Sequence, residues 1–360
     1  MAISHLVRRG VEVVANTVKD GHPGNQTPDI QVGSPWLASL LLVTVLAFVY
    51  AIFSIEYTYG LLIPALAAVE DSNPDLYVRV EADPTLKNSG DPAGLETAAA
   101  APSPITSKLR TTVCHLRARA GRRSRFRGIG MFLLYTFAEG FLNSIIPLSR
   151  NFILGRFIAN FAIAILLANL KVAWVHIVIS EPSSKRFYQR IPSFRDLRKI
   201  VPAAIFEYLL TNGVAYATLV AIKCIHGLDD YDGVLRGTPS SPIAFRSAMN
   251  VISITAFVSW LTSIPARAIF IRVAASMLPE EDEAIVPFDR SFGGKVVPGV
   301  VGAGVLSISD AWKTFDWDGR KRYLKALFKA VTIEFSVAVF FGLIFTAEIL
   351  GGALVCKPKN

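Results

Sequence analysis

The amino-acid sequence predicts an all-α, multi-pass membrane protein with six transmembrane helices. Composition, span length and the rhythm of the connections carry that prediction. Hydrophobic residues make up 52% of the 360 residues and charged residues 18%, where a soluble domain carries about 25% charged; the mean hydropathy is +0.43. These values argue against a soluble globular enzyme and against a disordered chain. Six stretches are apolar enough and long enough to cross a bilayer core, which takes about 20 helical residues. Between them long connections alternate with short ones.

Taken in order, residues 1–34 read as an N-terminal extension before a six-span domain over 35–355. The extension has no apolar core of the secretory kind, and Glu12 and Asp20 spoil the 6–18 stretch as a mitochondrial presequence. Asn25-Gln26-Thr27 fits the glycosylation sequon, a triplet that is frequent by chance. The first span, about 36–64, is uncharged from Trp36 to Ile55 and runs on less cleanly past Glu56. Residues 70–107, rich in Asp, Pro, Ala and Asn, read as a mobile loop without a core. The second span, 128–148, carries Glu139; the third, 157–179, carries Lys171 and His176; the fourth, 200–222, carries Glu207. The fifth, 247–277, begins without charge and passes through Arg267 and Arg272. The sixth, 330–350, carries Glu334 and Glu348.

Six spans place both termini on one side and the three long connections, about 69–127, 180–199 and 278–329, on the other. With Lys329 counted to the sixth span, the long connections hold 23 of the 37 Lys and Arg. Basic residues concentrate on the side from which insertion occurs, so the split supports this topology. The net charge of +9 therefore belongs to membrane flanks, and nucleic acid is not an expected partner. Cys114, Cys224 and Cys356 are too few and scattered for a disulfide framework or a zinc site. No phosphate loop, metalloprotease or nucleophile-elbow motif occurs. An enzyme is accordingly not expected, and no cofactor or metal is either.

Three segments before the even-numbered spans share a pattern: a helix-stopping residue, four residues, a large apolar residue, then a base. They are Gly121 with Phe126, Arg127 and Gly128; Pro192 with Leu197 and Arg198; and Gly319 with Leu324 and Lys325. Upstream of the first and third lie short stretches, Ser107–Arg117 and Ser307–Phe315, that suit helices along a membrane surface. Each odd-numbered span ends near a proline, Pro64, Pro182 or Pro265, where a helix is expected to kink.

On these residues the chain resembles the mitochondrial carrier family over about 36–350. That family repeats three times an odd span ending in a proline, an acid two residues on and bases five and seven residues on. A surface helix follows, then an acid, a glycine, four residues, an aromatic, a base and a glycine. Gly121 to Gly128 fits the second half from its glycine onward, with Ala120 in place of the acid. Asp318-Gly319 fits with Leu324 for the aromatic and Ala326 for the final glycine, and Arg272 stands seven residues after Pro265. The acids after the prolines are missing: those positions are Leu66, Ser184 and Arg267. The family's usual salt-bridge gate is thus not available here.

The resemblance implies pseudo-threefold symmetry of two-helix repeats, alternating access and a small-molecule solute. It implies contact pairs Tyr135/Thr136, Phe206/Glu207 and Ile333/Glu334, eight or nine residues after each base. Glu207 and Glu334 stand at equivalent places, nine residues after Arg198 and Lys325; two carboxylates facing one cavity favour a cationic or zwitterionic solute. The plainer alternative is that both are structural, paired with a base such as Lys171 or reaching an interface. Glu139 breaks the symmetry and is a candidate partner for Lys171. His176 reads as a hydrogen-bonded interior histidine rather than a metal ligand. The Arg-rich run 117–127 suits anionic headgroups, and the resemblance implies cardiolipin. It also implies a mitochondrial membrane, with the endoplasmic reticulum as the alternative if the repeat is coincidence. The missing acids fit a second reading, a non-transporting scaffold or adaptor like the family's outer-membrane members.

Overall fold

The computed structural model describes residues 35–72, 104–146, 153–226, 242–296 and 304–355. The N-terminal extension and most of the 70–107 connection lie outside the described residues. Among these residues every regular element is helical, apart from an isolated bridge between Ser180 and Ala284.

Helix α1 (Pro35–Ile55) runs into a π-helical stretch (Glu56–Leu62) and then α2 (Ile63–Val69). The ladder widens just before Pro64, with the Ile63 N–H bonding Thr58 five residues back, so the missing proline N–H is absorbed in a loosened turn. Helix α3 (Leu109–Ala120) is basic in its last turn, through Arg117 and Arg119, which suits the negative end of a helix. Helix α4 (Ile129–Ile145) opens at Gly128, whose φ of 77° an L side chain would strain. Helices α5 (Ile153–Leu166) and α6 (Ala168–Ile179) meet at 49°. The bend of the third predicted span thus falls at Leu167, not at Pro182, which lies beyond the helix end. Helix α7 (Phe194–Tyr208) continues through a second π-helical stretch (Leu209–Gly213) into α8 (Val214–His226). Helix α9 (Pro242–Ala275) carries Pro265 without interruption. Helix α10 (Ile308–Lys313), capped by Ser307, precedes α11 (Trp317–Val355).

Among the described residues four runs are long and apolar enough to cross a membrane: Trp36–Val69, Asp196–Ala221, Arg246–Ala275 and Trp317–Gly352. The bent pair α5–α6 makes a fifth if counted as one span. The expected six are therefore met by four to five. The shortfall lies at α4: its 17 residues extend about 26 Å at 1.5 Å per residue, less than the ~30 Å core. The chain is an all-helical protein of integral-membrane type.

The described residues fall into two units. In the smaller, the chain up to Val49 meets the chain from Val339 onward. Thr44 Oγ1 donates to Glu348 Oε1 at 2.6 Å, and Phe48 packs on Phe341 and Phe345. Leu42, Val43, Leu46 and Leu343 are exposed there, as lipid-facing side chains are.

The larger unit, Tyr50–Ala338, has its core where the ends of α2, α6 and α9 converge. Leu62, Leu66, Val69, Val172, Ile179 and Val273 are almost fully buried there. Its long connections meet on one side. Asp71 N donates to Pro287 O (3.1 Å), and the His115 ring N–H to Ile285 O (2.8 Å). Arg119 pairs with Glu181 (2.8 Å), while Glu181 N donates to Glu283 O (2.7 Å). Buried Glu70 accepts from the N–H of Ile105 (2.6 Å) and Thr106 (3.0 Å) and from the Thr106 hydroxyl, which joins the ends of the first connection; residues 73–103 lie outside the described residues.

Candidate functional site: a charged cavity between the helices

Within the larger unit a cavity of about 340 Å³ is walled by the first five predicted spans and by the part of α11 that precedes the sixth. Gly60 and Pro64 come from the first, and Phe132, Tyr135 and Glu139 from α4. Asn160, Lys171 and Trp174 come from α5 and α6. Glu207, Tyr208 and Thr211 come from α7 and its π-helical extension. Trp260, Arg267 and Phe270 come from α9, and Tyr323 and Leu327 from α11. Tyr135 and Glu139 lie four apart, one turn on the same helix face, as do Ser263 and Arg267.

The cavity holds two acids and two bases. Lys171 Nζ lies 2.6 Å from Glu207 Oε2, and over the Phe270 ring at 4.9 Å from its centroid. The Glu207 side chain is 10% exposed and that of Lys171 34%, so this is a largely desolvated pair. Glu139 lies beside Tyr135. Arg267 makes no ion pair or hydrogen bond among the described residues. Thr211 Oγ1 is buried without a partner.

Of the six contact residues that the resemblance implied, Tyr135 and Glu207 line the cavity. Thr136 is exposed and turns its hydroxyl back to Phe132 O (3.0 Å), and Phe206 packs against the core. Ile333 and Glu334 do not line the cavity; Glu334 lies beside Glu56, with Oε1 buried and unpartnered. Lys171 takes Glu207 as its partner rather than Glu139. The sequence marked Arg267 as an intramembrane charge without assigning it a role. It gave no sign of Trp174, Trp260 or Tyr323; aromatic residues are common in spans, and only the three-dimensional packing selects these.

One end of the cavity region is closed by a knot of polar contacts at the helix C-termini, where the last carbonyls lack helical donors. Arg272 donates to Ala68 O (2.9 Å), Ala311 O (3.0 Å) and Thr314 Oγ1 (3.0 Å), and lies between the rings of Phe292 and Phe315. The His176 Nε2–H donates to Ala274 O at 2.8 Å. Arg127 donates to Ile177 O and Ser180 O at the end of α6. Trp174 Nε1 donates to Tyr57 Oη (3.2 Å), and that hydroxyl to Arg127 O. Arg322 reaches Glu70 O (3.0 Å) and Ser72 Oγ (2.8 Å). Burial, aided by the charge of Arg190 and opposed by Glu181, pulls the Arg127 guanidinium down to about 10, so it stays charged at neutral pH. The cations at this end thus bond chiefly to backbone carbonyls. Leu66 is fully buried, Ser184 is exposed and Arg267 faces the cavity.

The residues of the sequence pattern before the even-numbered spans divide in role. Gly121 ends α3 at φ 76°, and Phe126 stacks on Tyr57. Leu197 and Leu324 pack on the core. Arg198 and Lys325 are exposed, without the carbonyl contacts of Arg127.

No family model matches the chain, and no curated protein matches it in sequence.

Proposed function

We propose that the chain is a small-solute transporter of mitochondrial-carrier-like architecture, working by alternating access around the charged cavity. The carrying observation is the cavity itself: two acids and two bases walled by the first five predicted spans and the first part of α11. Ionisable groups at membrane depth are costly and mark solute or ion paths. The order of elements supports three repeats. A long helix, a short helix in the long connection and a second helix recur as 35–69, 109–120 and 129–145. They recur again as 153–179, 187–190 and 194–226, and as 242–275, 308–313 and 317–355.

Six crossings follow from the same reading. Arg119 and Glu181 form an ion pair, so they share a side of the membrane. Between them the chain must cross an even number of times, which α4 and the bent pair α5–α6 together satisfy. A mitochondrial membrane, with the Arg-rich 117–127 run at anionic headgroups such as those of cardiolipin, completes the proposal.

The test is uptake by reconstituted protein of a panel of labelled metabolites. Saturable uptake that Glu207→Gln abolishes is the expected result; no uptake across a broad panel sinks the proposal.

A second reading, a carrier-like scaffold that does not transport, is favoured by the closed end. Arg272 is buried and bonded to three groups from two other elements. Opening that end would strand a desolvated guanidinium at a cost of several kcal/mol. Cross-linking a cysteine pair placed at Ala68 and Ala311 separates the readings. If this end opens in the transport cycle, the cross-link stops uptake; a scaffold keeps its membrane role with the cross-link in place.

A further inference from the structure

We infer that the cavity takes a small zwitterion with an apolar body, its carboxylate on Arg267 and its ammonium on Glu139. This rests on the cavity being the binding site for the solute proposed above. Lys171 and Glu207 already neutralise one another at 2.6 Å, and Lys171 is held further by the face of Phe270. What remains is one unmatched cation and one unmatched anion. Neither Arg267 nor Glu139 has an oppositely charged group within ion-pair distance among the described residues. Arg267 is exposed and Glu139 half-buried, so a ligand with a single charge would leave one of the two to solvent alone. A ligand with both charges satisfies both.

Size and walls narrow the class. At about 340 Å³ the cavity is at the small end of ligand pockets, which run about 300–1,000 Å³. It suits an amino-acid-sized solute rather than a nucleotide. Trp174, Tyr208 and Trp260 supply flat apolar walls and faces on which an ammonium can rest. The unpartnered Thr211 hydroxyl is a further polar contact for the ligand's head.

The test uses three probes with one body: phenylalanine, phenethylamine and 3-phenylpropionate. They carry both charges, the ammonium alone and the carboxylate alone. Binding is measured by calorimetry on the purified full-length protein in detergent. Phenylalanine should bind about tenfold or more tighter than either analogue, the scale of a hydrogen-bonded charge contact. Arg267→Gln should bring phenylalanine down to the level of phenethylamine and leave phenethylamine unchanged. Glu139→Gln should bring it down to the level of 3-phenylpropionate. Arg267→Lys should recover part of the loss, which separates charge from misfolding.

The inference is overturned if an analogue binds as tightly as phenylalanine, if none of the three binds, or if Arg267→Gln weakens all three alike. Its failure is distinct from that of the transport proposal. Uptake of another solute without phenylalanine binding removes the inference alone; phenylalanine binding without uptake of any solute removes transport alone.

Discussion

At the scale of single residues, the Lys171–Glu207 pair has two separable properties. It fixes α6 to α7, and it keeps two charges from the solute. Removing one partner strands the other: Glu207→Gln should cost about 1–3 kcal/mol, below the value for full burial because Lys171 is partly wet. The double variant Lys171→Met with Glu207→Leu should regain most of that stability, since a packed apolar pair replaces a desolvated ionic one. Thermal unfolding in detergent measures both, and a double variant no more stable than the single one would contradict the account. Asp289 makes a second prediction, outside the spans. Burial pushes its carboxyl up, but the N–H groups of Gly293 and Ser291 and the Ser291 hydroxyl outweigh this and hold it below the usual carboxylate range. A folded value below the unfolded one of about 3.9 means the stabilisation is complete above that pH and is lost as pH falls through the folded value. Hydrogen exchange at the Ser291 and Gly293 amides, corrected for intrinsic rate, should be flat from pH 7 to 5 and rise below 4. In Asp289→Ala it should be fast throughout.

At the scale of elements, the helix ends marked by Gly121 and Gly128 were legible, while the start of the sixth was not: α11 begins at Trp317, well before residue 330. Two motif glycines were readable because geometry leaves few alternatives: Gly121 ends α3, and Gly128 opens α4 at φ 77°, with Trp174 Cδ1 only 3.3 Å from where a Cβ would stand, whereas Gly319, expected to stop a helix, lies inside α11. Gly128→Ala should therefore destabilise by about 1–2 kcal/mol. Gly130→Ala, two residues on, in the helix and with open space around it, should stabilise by roughly 0.5–1 kcal/mol. Equal effects in a thermal-shift comparison would mean that α4 does not begin as described. The bend of the third predicted span was not legible. The sequence offers Pro182 as the breaker, yet the chain turns at Leu167, a residue with no intrinsic reason to break a helix. The cavity-lining residues Asn160 and Lys171 flank the bend and both face the same space. Similarly, Glu334 mirrors Glu207 in spacing but lies beside Glu56 instead. Spacing along a helix fixes the angular position of a side chain, and the tilt of that helix decides what it meets.

At the scale of the whole molecule, the number of crossings is the property that the sequence and the helix lengths answer differently. Among the described residues apolar length alone admits four, or five with the bent pair. Parity removes five. Residues on the two flanks of the α4–α6 region touch: Arg119 with Glu181, and His115 with Ile285 beside the Ser180–Ala284 bridge. An ion pair of 2.8 Å cannot bridge a bilayer about 30 Å thick, so α4 and α5–α6 either both cross or neither does. The difference rests on residues 147–152, which join them. If both cross, these residues lie on the side opposite Arg119; if neither does, they lie on the same side. A single cysteine at Ser149, in a chain with Cys114, Cys224 and Cys356 replaced by serine, decides between them. A membrane-impermeant maleimide should label Ser149→Cys from one face of sealed vesicles. A cysteine restored at position 114, exposed on α3, should be labelled from the other. Six spans require those opposite faces. Labelling of both from one face would leave four, with α4 to α6 dipping into the membrane from the side of the long connections. The cavity would then open onto a single compartment, and alternating access would have no second exit to use.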